Sequence, residues 1–146
     1  MGMRTLLSVV LFLGASSQLA AQEDRAYTEG TVSVVTSVKI MDGEFNNYMN
    51  YLSKTYKPLM EAQKKAGNVL DFSVYGARAR SADEADMYLV VTYPNMAAFD
   101  GLADRTEPVQ KQVTGMTREQ SNAASVERGK MREILGSEVI RELKLK

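Results

Sequence analysis

The chain has 146 residues, 45% hydrophobic and 25% charged, with 18 basic residues balanced by 18 acidic ones and neither cysteine nor histidine. The two missing residue types exclude disulfides, thiolate nucleophiles, Cys-ligated zinc, iron–sulfur clusters, imidazole bases, Ser-His-Asp triads and His-ligated haem. The charge balance argues against nucleic acid as a partner, because phosphate backbones are bound by clustered Lys and Arg.

Residues 1–21 have the build of a secretory signal peptide: Arg4 as the positive start, the apolar run Thr5 to Gly14, and the small-residue exit Leu19-Ala20-Ala21. The apolar run is far shorter than the roughly 20 residues that cross a bilayer, so a removable address is expected and stable membrane insertion after cleavage is not. Cleavage before Gln22 leaves 125 residues with 17 basic and 18 acidic side chains. The expected location is the periplasm or the exterior. Residues 22–30 read as a polar leader, and residues 31–146 as one domain.

From Thr31 to Ile40 the run TVSVVTSVKI is β-branched, with Val32, Val34, Val38 and Ile40 on one parity and Ser33, Val35, Ser37 and Lys39 on the other. This pattern predicts a strand with one apolar face. Asp42-Gly43 is the expected helix entry, with Asp42 as the capping residue. Phe45, Tyr48, Met49, Leu52, Tyr56, Leu59, Met60 and Gln63 then recur at helical spacing, with a kink or break expected at Pro58 and a stop at Gly67 or Asn68. Tyr48, Tyr51 and Tyr56 are expected to pack rather than react, and Asn46, Asn47 and Asn50 to face solvent.

A second alternating stretch, Val69 to Arg80, places Leu70, Phe72 and Val74 opposite Asp71, Ser73 and Tyr75. After a polar turn at Ser81 to Ala85, the run Asp86 to Tyr93 is apolar on both parities, which predicts a central strand covered on both faces. Asn95 is the expected cap of a short helix over Met96 to Phe99. A polar stretch with Pro108 and Gly115 follows. Thr117-Arg118-Glu119-Gln120 matches a capping box, predicting a helix to about Leu135, stopped by Gly136, and then a closing strand over Ser137 to Lys146.

The order strand, helix, strand, strand, helix, strand is the split βαβ, or ferredoxin-like, α+β arrangement with an antiparallel sheet. Over residues 31–146 the sequence resembles the dimeric α+β barrel superfamily, which includes antibiotic-biosynthesis-monooxygenase-like and NIPSNAP-like domains. The resemblance is carried by TVSVVTSVKI, by the entry Asp42-Gly43-Glu44-Phe45, and by the stretch from Tyr88 through Pro94-Asn95 to Phe99. It implies a homodimer whose two sheets meet face to face, with a cavity on the side away from the helices.

The face so implied carries Ser33, Val35, Ser37, Ser73, Tyr75, Tyr88, Val90 and Thr92. Ser33, Ser37, Ser73, Tyr75, Arg78, Tyr88 and Thr92 are the candidate ligand-binding residues, with Arg78 and Arg80 suited to clamp an anion. The alternative for this face is a plain dimer interface or a solvated sheet face. No cofactor and no metal are expected: haem-binding relatives use a His this chain lacks, and Asp83, Glu84 and Asp86 have no calcium-loop spacing. The expected function is an uncharacterised exported barrel protein that binds a small molecule or serves the envelope without catalysis. Two alternatives stand beside it, a cofactor-independent monooxygenase-like enzyme acting on a small aromatic compound and a protein-interaction module.

Overall fold

The computed structural model describes residues 25–146, so the expected signal peptide and the first residues of the leader lie outside the described residues. Four strands form one antiparallel sheet: β1 (Tyr27–Ile40), β2 (Asp71–Gly76), β3 (Met87–Tyr93) and β4 (Arg132–Leu145), in the order β2-β3-β1-β4. The expected strand order along the chain and the α+β class are both present. β1 begins four residues before the run that predicted it. Tyr27, Thr28 and Glu29 pair with Leu145, Lys144 and Leu143 of β4, and a Glu29–Arg141 ion pair at 2.5 Å supports that end.

The turn after β1 is closed by the Glu44 N–H donating to the Met41 carbonyl at 3.0 Å, with Gly43 at φ 79°, a left-handed conformation that glycine adopts without a Cβ clash. Asp42 does not cap the helix. The N-cap residue is Glu44, which makes no side-chain cap bond, and the Asn47 amide donates to its carboxylate at 2.9 Å.

Helix α1 (Phe45–Tyr51) passes through a π-helical segment (Leu52–Tyr56) into α2 (Lys57–Lys65). The expected break at Pro58 is therefore absorbed as a widened turn. Pro58 has no N–H to bond one turn back, and the chain loosens over the preceding residues instead of stopping.

This long helix buries two clusters against the sheet. The first holds Val38, Tyr48, Leu52 and Met87; the second holds Met60, Val69 and Tyr93, with Phe72, Val91, Phe99 and Leu102 packed around it. Each such side chain contributes about 1.5–3 kcal/mol by leaving water, so these few residues dominate the stability of the domain. Phe45 and Met49, expected in the apolar stripe, face solvent instead because they lie off the arc that meets the sheet.

The second half departs further from expectation. Asn95 is extended and makes no cap bond to the 3-10 turn Met96–Phe99. The polar stretch after Gly101 is a helix, α3 (Leu102–Thr114), with Pro108 inside it. Buried side-chain amides help dock it: Asn68 donates to the Arg105 carbonyl at 3.1 Å and to Gln63 at 2.7 Å, and Gln63 donates to the Thr106 carbonyl at 2.9 Å.

The capping box forms as predicted at the start of α4 (Arg118–Glu127), with the Thr117 N–H donating to Gln120 Oε1 at 2.9 Å and the Gln120 N–H donating back to Thr117 Oγ1 at 3.3 Å. The helix does not run to Leu135, however. It ends at Glu127, and after a 3-10 turn the chain enters β4 at Arg132, so Met131 to Leu135 belong to the strand and its approach. Gly136 is not a helix stop; it sits beside the register shift in β4 opposite Ser37 and Val38.

Candidate functional site

One face of the sheet carries the long helix, and the other is left open by the described residues. Strand pairing arranges the open face in three rows. Tyr75, Tyr88, Ser37 and Gly136 form the first, Ser73, Val90, Val35 and Glu138 the second, and Asp71, Thr92, Ser33 and Ile140 the third. Neighbouring strands lie about 4.8 Å apart, so each row spans roughly 14 Å. Six of the seven residues expected to line a site fall in these rows, which the period-two alternation of β1, β2 and β3 dictates.

The third row is already partly satisfied. Ser33 and Thr92 share a hydrogen bond at 3.0 Å, and Asp71 accepts from Lys64 at 2.8 Å, which holds its carboxyl below the ordinary range. Ser33, Thr92 and Ser73 do not line the pocket described next. They belong to the flat part of the face.

The first row ends in a pocket of about 580 Å³. Ser37 and Tyr88 form its floor, and the loop 77–86 forms one wall with Arg78. The start of β4, from Leu135 to Glu138, forms the other wall. Of the seven expected residues, the structure brings Ser37, Arg78 and Tyr88 together here; Tyr75, half exposed at 55%, flanks Tyr88 on the edge strand. Gly136 keeps the β4 side open, because a Cβ built there meets no atom within 4 Å.

The loop is held at both ends. Ala77 donates to the Asp86 carbonyl at 2.7 Å, and Asp86 accepts from the Ile40 N–H at 2.9 Å and from the Lys39 ammonium at 3.3 Å. Arg80 donates from its backbone N–H to Glu84 at 2.6 Å and from its guanidinium at 2.9 Å, and these bonds hold the Glu84 carboxyl below the usual range. Arg80 is thus spent on the loop, and the expected two-arginine clamp reduces to Arg78. Among the described residues no group of acidic side chains is assembled that could hold a metal ion, and no helix is long and apolar enough to cross a membrane.

The tyrosines of the long helix sit on the other side of the sheet. Tyr48 is buried and stacks on Tyr51 at 5.8 Å, while the Arg128 guanidinium lies 4.8 Å from the Tyr51 ring centre. The Tyr56 hydroxyl is buried without a hydrogen-bond partner, and burial pushes its pKa up to about 12. This group packs, as its spacing predicts. Sequence does not assign Gly136 or Glu138 to the site: Gly136 reads as a helix stop and Glu138 as one residue of the closing strand, so neither is placed opposite the loop that carries Arg78.

No protein-family model matches the chain, and no curated protein matches it. Among solved structures it is similar to HapK from Hahella chejuensis, at 11% identity and a TM-score of 0.50, over 76% of this chain and 91% of that one. It is similar also to a dimeric ferredoxin-like protein from an uncultured marine organism, at 15% identity and a TM-score of 0.50, over 82% of this chain and 98% of that one. At these identities the likeness is one of fold. With its four-stranded antiparallel sheet, helical on one face, the chain has the ferredoxin-like α+β fold.

Proposed function

We propose that the protein is an exported homodimer that binds a small molecule between the open faces of its two sheets, without catalysing a reaction on it. The observation that carries this reading is the open face itself. Val35, Val90, Tyr75, Tyr88 and Ile140 stand there among hydroxyls, and no helix or strand among the described residues packs over them. A mixed apolar and hydroxyl surface of this kind is poorly suited to bulk water and well suited to a partner sheet with a ligand between. The solved marine relative is described as dimeric, which supports the same assembly.

Stable interfaces use roughly 800 Å² per partner, so the assembly needs most of this face on each copy. Light scattering of the mature chain at micromolar concentration is expected to give twice the monomer mass, and a monomer overturns the reading. Ile140→Asp places an unpaired charge in the third row and is expected to shift that equilibrium toward monomer. Export is checked by recovering the chain from a periplasmic or culture fraction with its first residues removed; an unprocessed cytoplasmic chain overturns that part alone. Turnover of a phenolic panel with oxygen consumption would replace binding by catalysis.

A further inference from the structure

Resting on the small-molecule reading above, we propose that the pocket beside Gly136 selects an aromatic acid: a planar ring with a carboxylate at one end and a hydroxyl or amino group at the other. Three features of the pocket point the same way.

The first is an unspent guanidinium. Arg80 is bound to Glu84, Arg118 to Glu107, Arg141 to Glu29, Arg105 to backbone carbonyls, and Arg128 and Arg132 to the tyrosines of the long helix. Arg78 lines the pocket and has no partner among the described residues. Its loop is pinned on both sides by the Ala77–Asp86 and Arg80–Glu84 bonds, so the donor is presented on a fixed wall. A planar fork of N–H donors held in this way matches a carboxylate in two parallel charge-assisted bonds.

The second is the floor. The Tyr88 ring lies between Tyr75 and Ser37 in the first row, and Gly136 ends that row without a side chain. A flat ring fits over such a floor, stacking on the tyrosine and lying across the space the glycine leaves. The third is the far wall. Glu138 stands on β4, across the pocket from the loop, and it too has no ion-pair or hydrogen-bond partner among the described residues. A carboxylate there accepts from a hydroxyl or amine and repels a second acid group. Arg78 and Glu138 together therefore read the two ends of one ligand.

Isothermal titration of the mature protein with para-hydroxybenzoate, benzoate, phenol and benzamide tests the assignment. The hydroxy acid is expected to bind most tightly, with benzoate weaker and phenol and benzamide weakest. Arg78→Gln is expected to cost at least about tenfold for both acids, and Arg78→Lys less. Glu138→Gln is expected to weaken the hydroxy acid while sparing benzoate. Gly136→Val fills the space above the floor; it suits a strand and meets no neighbour, so it is expected to abolish binding while leaving the circular dichroism and the assembled mass unchanged.

Phenol bound as tightly as the acids, or an Arg78→Gln variant with unchanged affinity, overturns the ligand class and leaves small-molecule binding standing. Failure of every aromatic probe to bind a properly dimeric protein likewise overturns the aromatic-acid assignment alone, whereas a monomer overturns the reading on which it rests.

Discussion

The two halves of the domain hold together by different means. In the half built from β1, β3 and the long helix, Val38, Tyr48, Leu52 and Met87 are buried almost completely. In the half built from α4 and β4 no side chain reaches that state, and Val139, Ile140, Leu143 and Leu145 are about half exposed or more, up to 84% for Leu145. The strand is kept in place by its backbone ladder to β1 and by surface pairs. Stability resides in the first half, then, and the second is free to serve contacts with other molecules.

The sharpest way to break this contrast is a matched pair of truncations. Leu52→Ala is expected to lower unfolding stability in urea by about 3 kcal/mol, and Val139→Ala to change it by no more than about 0.5 kcal/mol. Equal effects would dissolve the distinction. The Gln63–Asn68 amide pair, which joins the two halves through α3, comes next. Gln63→Ala leaves buried Asn68 and the Thr106 carbonyl short of a partner and is expected to cost about 2 kcal/mol in the same measurement.

Tyr56 sharpens the picture from inside the first half. Its hydroxyl is buried and unpaired, so Tyr56→Phe is expected to be neutral or to stabilise by up to about 1 kcal/mol. Its folded pKa is raised from 10.0 to about 12, which means the folded state retains a proton that the unfolded state has lost. Stability therefore falls as pH rises from about 10 toward 12, and thermal melts across that window are expected to fall less steeply in the Phe variant. Tyr48 and Tyr93, also raised by burial, keep part of the slope.

The smallest global effect is expected from Thr117→Ala. Loss of the cap costs helix α4 about 1 kcal/mol, visible as faster amide hydrogen exchange at Gln120 and its neighbours. The midpoint of unfolding is expected to move little, since no α4 side chain is buried.

The same contrast explains which parts of the molecule could be read from sequence. β1 and β2 are legible because one face is pressed on the helix, so burial imposes a period of two on Val32, Val34 and Val38; β3 is legible from a run apolar on both parities, which fits its inner place in the sheet, although the described residues cover only its Met87, Leu89 and Val91 face and not both as expected. β4 lacks that imprint: with both faces largely exposed, its first residues follow on from a good capping box, and Gly136 looks like a helix stop. α3 was hidden by Pro108, whose cost is offset in part by the amides of Gln63 and Asn68, a compensation that only the fold reveals. Likewise, six of the seven candidate site residues follow from alternation, whereas the pocket that gathers Ser37, Arg78 and Tyr88 depends on the misread strand for its second wall. That Arg80 is spent on Glu84 depends on how the loop closes.

The outer edge of β4 has a consequence for how the protein behaves when concentrated. A fourteen-residue strand at the margin of the sheet is a template on which another chain can add, and Val139, Leu143 and Leu145 would reward the addition. Interleaved with them stand Glu138, Arg141, Glu142 and Lys144, whose charges set the strand against a copy stacked in register. These four charged residues oppose such addition along the margin, and neutralising them is expected to favour it at high concentration.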